Sequence, residues 1–407
     1  MRVSAAIPVS NRWQTVPLSA VAEITAGGPA PQEAGDFSPN GTSFMRMQDV
    51  GKEHHCSNLL DSVDHISHET AKQKRLRLFP KGSLLIPKSG ASVNLNHRAL
   101  LGVDAYVVSH LAVVIPDYTK LDPKYLYYWS LIYDPRHQAQ VTSLPSLPLS
   151  LINKAEIPVP PLKEQRRIVD ILKRADGIRR LRKQAIQTAH ELIPALFVDM
   201  FGDPATNPKG WPVVACGELI VDGPQNGLYK PSSAYGDGTP ILRIDGFYDG
   251  IVSDWASLRR LRISDEERGR YRLREGDIVI NRVNSPEYLG KNALITGLLE
   301  ETVFESNMMR FAVNTNRISP TYFIQYLQTS YVKSQILSGA KHAINQSSIN
   351  QQDVKLLQIV VPPLVMQKKF VEVTQNVSAV GAQQQVAVIK SEAVFDSLLH
   401  CAFRGEL

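Results

Sequence analysis

The sequence predicts a duplicated α/β (mixed α+β) architecture: two globular modules and two long, antiparallel, coiled-coil-like helices related by a pseudo-twofold axis. Two observations carry this: an internal repeat of about 200 residues, and a heptad pattern following each module. Trp13 and Trp211 each open a copy. Asn40-Gly-Thr-Ser-Phe-Met-Arg46 is answered by Asp237-Gly-Thr-Pro-Ile-Leu-Arg243, and Pro80-Lys-Gly-Ser-Leu-Leu-Ile86 by Arg274-Glu-Gly-Asp-Ile-Val-Ile280. Asp122-Pro-Lys-Tyr-Leu126 matches Ser319-Pro-Thr-Tyr-Phe323, Val159-Pro-Pro-Leu162 matches Val361-Pro-Pro-Leu364, and Leu196 to Phe201 matches Leu398 to Phe403. The order is kept while the residues between drift, so two related sites are expected.

The elements follow in order within residues 1–157, the first module. Leu84-Leu-Ile86 follows a Lys-Gly turn and reads as a short buried strand, as Ile278-Val-Ile280 does after Glu-Gly. Asp122 and Ser319 are expected to cap short helices whose first position is Pro123 or Pro320. Leu126 and Trp129, or Phe323 and Tyr326, then supply an apolar face. Glu156 to Val159 and Gln358 to Val361 read as terminal strands, stopped by paired prolines.

Residues 158–202 form the first long helix region, 203–210 a turn-rich linker, 211–358 the second module and 359–407 the second long helix region. In the first helix one seam position holds Ile168, Ala175, Arg182, Ala189 and Leu196, and the other Ile171, Ile178, Ala185 and Leu192. In the second helix the equivalents are Phe370, Val377, Gln384 and Leu398, with Val373, Val380, Ala387 and Val394. Arg182 and Gln384 occupy the same place in both copies and would meet at the centre of an antiparallel pair, where one polar layer fixes register. Solvent-directed snorkelling of Arg182 is the alternative. Pro194 is expected to kink the first helix near its end.

At 407 residues each half is large enough for its own core. Apolar runs such as Leu111-Ala-Val-Val-Ile115 are too short to cross a bilayer, and Met1 to Arg12 do not resemble a signal peptide, so a cytoplasmic location is expected. The three cysteines, Cys56, Cys216 and Cys401, form no disulfide framework or four-cysteine zinc site. A net charge of +6 permits nucleic-acid binding without demanding it.

Catalytic patterns are missing. There is no Asn/Asp-Pro-Pro-aromatic tetrad, no Gly-x-Gly-x-x-Gly and no phosphate loop. Asp353-Val-Lys355 and Pro116-Asp117 are scraps without the order a nuclease site needs. His54, His55, Cys56, His65 and His68 resemble a metal cluster but have no counterpart in the second half, so a polar surface loop is the better reading.

Polar residues after the buried strands remain. Lys88, Ser89, Asn94, Asn96, His97 and Arg98 follow Ile86, while Arg282, Asn284, Ser285, Lys291 and Asn292 follow Ile280. Lys341, Asn345 and Gln346 lie in a donor-rich loop, and Arg46, Gln48 and Arg243 follow the duplicated Gly-Thr strands. Such side chains read base edges or hold phosphates. Lys88 and Arg282 stand at the same offset in the two copies, which singles them out.

Ile157-Pro-Val-Pro-Pro-Leu-Lys-Glu-Gln165 with Ile168, and Ser397-Leu-Leu-His-Cys-Ala-Phe-Arg-Gly-Glu-Leu407, resemble signatures of the specificity subunits of type I restriction–modification systems. Gly82-Ser-Leu-Leu-Ile-Pro-Lys-Ser-Gly90 and Gly276-Asp-Ile-Val-Ile-Asn-Arg282 look like that family too, so the resemblance spans essentially the whole chain. It departs at Val361-Pro-Pro-Leu-Val-Met-Gln367, where Val-Met replaces the usual acidic approach to Gln. It also departs at Thr142 to Leu149, where Leu-Pro repeats replace the Lys-His-Ala-Ile-Asn-Gln loop of the second copy.

The resemblance implies two target recognition domains joined by conserved spacer helices, reading an asymmetric bipartite site in double-stranded DNA. It implies two modification (methyltransferase) subunits and restriction (endonuclease/translocase) subunits as partners. No cofactor is expected on this chain; S-adenosylmethionine, ATP and Mg2+ would belong to those partners, and methylation would require the target adenine to flip. A rod from Ile168 to Leu196, at about 1.5 Å per residue, is roughly 40–45 Å and would act as a ruler. The rival readings are a self-contained methyltransferase or nuclease, and a protein-binding scaffold.

Overall fold

The first and last strands of each module pair with one another, so each module is closed by its own ends. Thr15–Pro17 runs antiparallel to Glu156–Pro158 with Val16 opposite Ile157, and Val213–Ala215 does the same with Gln358–Val360, Val214 opposite Ile359. The prolines that follow offer no N–H to a sheet, and the chain turns from them into a long helix. The computed structural model describes residues 13–52, 56–136, 145–343 and 346–407. Backbone contacts divide the chain into one unit of Met1–Lys183 with Gln385–Leu407 and another of Gln184–Gln384. Each unit therefore holds one module, the first part of its own long helix and the last part of the other's.

In the first unit a five-stranded sheet runs in the order Ala22–Ala26, Leu111–Pro116, Leu84–Pro87, Ala99–Leu101, Cys56–Leu59. Leu84 and Ile86 face a core shared with Leu126, Trp129, Ile168, Leu172 and Phe403, whereas Leu85 points into a second core with Phe44, Phe79 and Tyr106. A strand buried on both faces reads as an unbroken apolar run, which is why Leu-Leu-Ile lacks polar alternation. The second unit repeats this with Ile220–Asn226, Met308–Val313, Ile278–Asn281 and Asn292–Leu294; Ile278 and Ile280 face the helical core and Val279 the other.

The short helix Pro123–Ile132 begins as expected: Asp122 Oδ1 accepts from the Lys124 and Tyr125 amides at 2.9 and 3.2 Å. Its counterpart Pro320–Leu327 does not, because the Ser319 side chain makes no cap bond. Its amide is held instead by a buried glutamine, and this device is duplicated. Gln165 Oε1 accepts from Asp122 N at 2.8 Å while its amide nitrogen donates to the carbonyls of Lys120 and Pro160. Gln367 Oε1 accepts from Ser319 N at 2.7 Å and its amide nitrogen donates to the carbonyls of Arg317 and Pro362. Both glutamines are fully buried. Tyr125 and Tyr322 add matching bonds to the carbonyls of Pro158 and Val360, each 2.8 Å.

The long helices span Leu162–Phe201 and Leu364–Arg404. Helical structure continues through Pro194, and Gly202, with φ of 84°, ends the first. Lys209 then caps the free carbonyls of Asp199 and Met200, so the linker doubles as a helix stop. Within the first unit the two helix segments are antiparallel: Arg167 donates to the Leu407 carbonyl, while farther along Lys183 pairs with Glu392 at 2.6 Å. Tyr125 of the first module packs on Phe403, ring centroids 5.0 Å apart, and in the second unit Tyr322 packs on Phe201 at 4.8 Å.

One expected seam position is corrected. Ile168, Ala175, Arg182, Ala189 and Leu196 lie on the inner face, as do Phe370, Val377, Gln384 and Leu398. Of the companion row, Ile171 and Ala387 are half-buried, but the rest is displaced by one residue. Ile178 is 52% and Val394 56% exposed, and Ala185, Leu192, Val373 and Val380 are exposed as well. The inner row is Leu172, Arg179, Ile186 and Ile193 in one helix, and Thr374, Gly381, Val388, Phe395 and Ala402 in the other. From a first seam residue a heptad allows a step of three or four, and apolar identity favoured three. The true row is obscured by Arg179, which is buried with its guanidinium 4.4 Å from the Phe395 ring centroid.

Among the described residues no helix is long and apolar enough to cross a membrane. Cys216 and Cys401 are free thiols, and burial pushes the Cys216 thiol up to about 12. The corrected seam has a direct test in urea unfolding of the full chain. Leu172→Ala should lower stability by about 2–4 kcal/mol through the cavity it leaves. Ile178→Ala should stay within about 0.5 kcal/mol. The reverse ranking would restore the other register.

Candidate nucleic-acid interface

The duplicated polar residues sit on a backbone frame that is itself duplicated, hydrogen bond for hydrogen bond. Lys88 N donates to His110 O and Lys88 O accepts from Leu147 N; Arg282 N donates to Asn307 O and Arg282 O accepts from Ile349 N, all at 2.8–3.0 Å. Beside them, Gly28 N bonds Val107 O in the first unit and Leu228 N bonds Phe304 O in the second. Val108 N bonds Met45 O, as Glu305 N bonds Leu242 O. The frame closes so tightly that a Cβ on Gly27 would stand 2.2 Å from Val107 O, and one on Gly227 2.2 Å from Glu305 O. Only glycine fits there. Lys88 and Arg282 thus occupy one position of one frame.

In the second unit this position carries a three-stranded sheet, Val283–Asn284, Gln346–Ser348, Lys341–Ala343. Asn284 lies opposite Ser347, and Lys341 opposite Ser348. Three expected residues, Asn284, Lys341 and Gln346, are therefore gathered on adjacent strands, and Arg282 immediately precedes the first of them. Alternation puts Lys341, Gln346 and Ser348 on one face, with Lys341 and Gln346 exposed. Asn345 lies outside the described residues. Arg282 donates to Ser306 O at 3.2 Å and remains half-buried.

Arg243 and Lys291 form a second group. Arg243 pairs with Glu305 at 3.2 Å, and Glu305 also accepts from Ile244 N. Lys291 donates to Ile244 O and lies 3.9 Å from the Tyr248 ring centroid and 4.8 Å from that of Phe247; burial draws its ammonium below the ordinary lysine value. These two cations organise the loop more than they offer charge to a ligand. Arg46 is similar, paired with Asp64 and lying over Phe37 and Phe44.

In the first unit Lys88 is half-buried, Gln48 and Asn94 are exposed, and Ser89 Oγ is 2.7 Å from His110 Nδ1. Arg98 requires correction as a surface contact: it is 1% exposed. It donates to the carbonyls of His97 and Tyr133 and to Asn96 Oδ1, and burial lowers it to about 10, so it remains charged at neutral pH as an internal clamp. Asn96, at φ of 52°, serves that clamp. The Leu-Pro segment contributes Pro145 to Leu147, which pair with Lys88 to Gly90, while residues 137–144 lie outside the described part. His65 bonds Asp61 at 2.7 Å, and among the described residues no group of three His, Cys, Asp or Glu is placed to hold a metal; His54 and His55 lie outside them.

Sequence reasoning missed Lys333. From the helix Ser330–Gly339 its ammonium donates to the carbonyls of Pro286, Glu287 and Leu289 at 2.7–2.8 Å, fixing the turn that follows Asn284. No local pattern announces a lysine whose three acceptors lie some 45 residues upstream. The exposed rings of Tyr229, Tyr248 and Tyr288 were missed as well; all three are at least 43% exposed.

Comparison with known proteins follows this geometry. Residues 10–190 match the family model described as Type I restriction modification DNA specificity domain. The chain is 34% identical over 170 residues to the putative type I restriction enzyme MjaX specificity subunit of Methanocaldococcus jannaschii, covering 42% of this chain and 40% of that one. It is 25% identical over 312 residues to the type I restriction enzyme StySPI specificity subunit of Salmonella potsdam, covering 72% and 66%. The matched region thus spans less than two thirds of either relative's length. A solved chain, from work on complex assembly and conformational transition of the type I R-M system, superimposes with a TM-score of 0.58 at 18% identity, covering 99% of this chain and 100% of that one. The duplicated, helix-linked fold is shared with that solved chain. Over residues 10–190 the chain is thus similar to the type I restriction modification DNA specificity domain.

The Lys333 clamp is testable by hydrogen exchange. Lys333→Met keeps the stem and strands three carbonyls, so the amides of Tyr288, Leu289 and Gly290 should exchange about tenfold faster while the rest of the chain is unchanged. Unaltered protection at those amides would show that the turn holds itself.

Proposed function

We propose that this chain is the targeting subunit of a type I restriction–modification complex, reading an asymmetric bipartite site in double-stranded DNA. Residues 1–157 and 211–358 act as the two target recognition domains, and 158–202 and 359–407 as spacers. The observation that carries this reading is the common placement of Lys88 and Arg282 on one duplicated frame, surrounded by side chains that differ between the copies. A shared frame with divergent contacts is what reading two unlike half-sites requires. Lys341, Gln346, Asn284 and Arg282 supply base-edge and phosphate donors in the second domain; Lys88, Ser89, Gln48 and Asn94 do so in the first. Tyr288, exposed in the turn that follows Asn284, offers a ring beside the second set.

The chain works in the cytoplasm with two modification subunits and with restriction subunits. Methyl transfer from S-adenosylmethionine and ATP- and Mg2+-dependent cleavage are the partners' chemistry, and this chain is not itself catalytic. The long helices set the unread gap between half-sites.

Two measurements test the reading. Arg282→Ala should relax or weaken recognition of the second half-site alone, by about 1–3 kcal/mol if its contact is to a base, as scored by binding to a randomised-site library. Equal loss at both half-sites would count against modular reading. Inserting four residues, about one helical turn, into both long helices should lengthen the gap in the methylated motif. A methylome with an unchanged gap would sink the ruler.

A further inference from the structure

The first unit contains a cleft of about 600 Å³ that the reading frame does not use, between the first module and the start of the first long helix. Lys81, Lys124, Arg166 and Lys173 line it, against two carboxylates, Asp122 and Asp170. One oxygen of Asp122 is engaged in capping the Lys124 and Tyr125 amides. Four cations against two carboxylates leave the cleft lining net positive, which favours an anion. Its floor is apolar, formed by Leu100, Leu101, Val169 and Pro123.

At the rim, Tyr118 is 49% exposed and its hydroxyl donates to Lys81 O at 2.6 Å. The ring is therefore anchored at the wall of the cleft. Gly82 makes this wall possible: at φ of 87°, a Cβ there would stand 3.1 Å from the Tyr118 hydroxyl and 3.2 Å from the Pro123 ring.

Three of the four cations are not part of the duplication, the exception being Arg166, answered by Lys368. Where the first copy has Lys81, Lys124 and Lys173, the second has Glu275, Thr321 and Gln375. Glu275 is turned to the Gly297 and Leu298 amides, and a Cβ on Gly276, the counterpart of Gly82, would meet nothing within 4 Å. A cation set carried by one copy of a frame present twice serves something other than the paired half-sites.

We propose that this cleft binds a nucleoside polyphosphate, its phosphates on Arg166, Lys173, Lys124 and Lys81 and its base against the Tyr118 ring and the apolar floor. The volume suits one small ligand and is too small to admit a duplex. An anchored aromatic face with clustered cations is the chemistry that holds a base and a phosphate chain together.

The test is calorimetric titration of the full chain with ATP, GTP and inorganic tripolyphosphate. Saturable one-site binding of the nucleotides, weaker for tripolyphosphate, is expected. Arg166→Glu with Lys173→Glu, both exposed and free to change without harm to the core, should weaken nucleotide binding about a hundredfold, or tenfold per lost contact. Lys368→Glu, the counterpart of Arg166 in the second copy, should leave it unchanged. Tyr118→Ala should weaken ATP and GTP about tenfold and tripolyphosphate not at all. Absence of saturable nucleotide binding at millimolar concentration overturns the proposal. So does parallel loss of DNA affinity in the double variant with displacement of ATP by a short duplex, which would make the cleft part of the DNA surface.

Discussion

The structure depends on two buried glutamines. Gln165 and Gln367 each sit where a long helix begins, and each joins three segments of backbone through one side chain. Each accepts the amide that opens the module's short helix, and donates to the loop before that helix and to the proline before its own long helix. A buried amide left unmatched costs about 1–3 kcal/mol per group, so this position tolerates little else. It ties the direction of a 40-residue helix to the core of a module through less than one turn of chain. The second copy lost the acidic approach to its glutamine and kept the glutamine. Val365 and Met366 can stand in for Lys163 and Glu164 because those positions lie outside the hydrogen-bonded set.

A second constraint acts at the other end of each module. The frame around Gly27 and Gly227 is made of backbone bonds and close backbone approach, so it is indifferent to most of the side chains it carries. That indifference permits divergence. Arg46 and Arg243 both need a carboxylate, yet Asp64 supplies it from a neighbouring strand in one unit and Glu305 from the frame itself in the other. Lys88 and Arg282 keep a cation at the same position while their neighbours change from Ser89 and His110 to Val283 and Asn307. Geometry is held by atoms every residue possesses, and identity is left to vary.

The parts of the fold that were legible in the sequence are those with a local cause. Leu84-Leu-Ile86, the Asp122-Pro123 helix start and the strands before each proline pair declare themselves within a few residues, and each forms as read. The seam was half legible, because a heptad fixes its first row while the choice of the second rests on side-chain character. Arg179 inside and Ile178 outside inverted that character. The site was legible where a position recurred and opaque where long-range pairing decided the outcome. Nothing adjacent to Arg98 signals that Tyr133 O will close over it, and nothing near Lys333 names the carbonyls of 286–289. A polar residue in a loop is exposed or internal according to partners far along the chain, which composition does not encode.

The same logic separates the two units. In the first helix Asp176 takes both Arg179 and Arg180, and the first pair is buried against Phe395. The second copy has Ser378, Gly381 and Ala382 at those places, so no equivalent charge layer can form. A buried pair of this kind is weak evidence for added stability, since desolvation offsets most of the attraction. Its effect is on pairing: a helix segment carrying Arg179 needs an aromatic face opposite it and a carboxylate one turn away. Phe395 supplies the first in this unit and Asp176 the second. The seam therefore distinguishes its two ends by charge, just as the cleft beside it distinguishes the two modules. Duplication set a common frame, and the charge layer and the cleft are departures from symmetry placed where that frame leaves room for them.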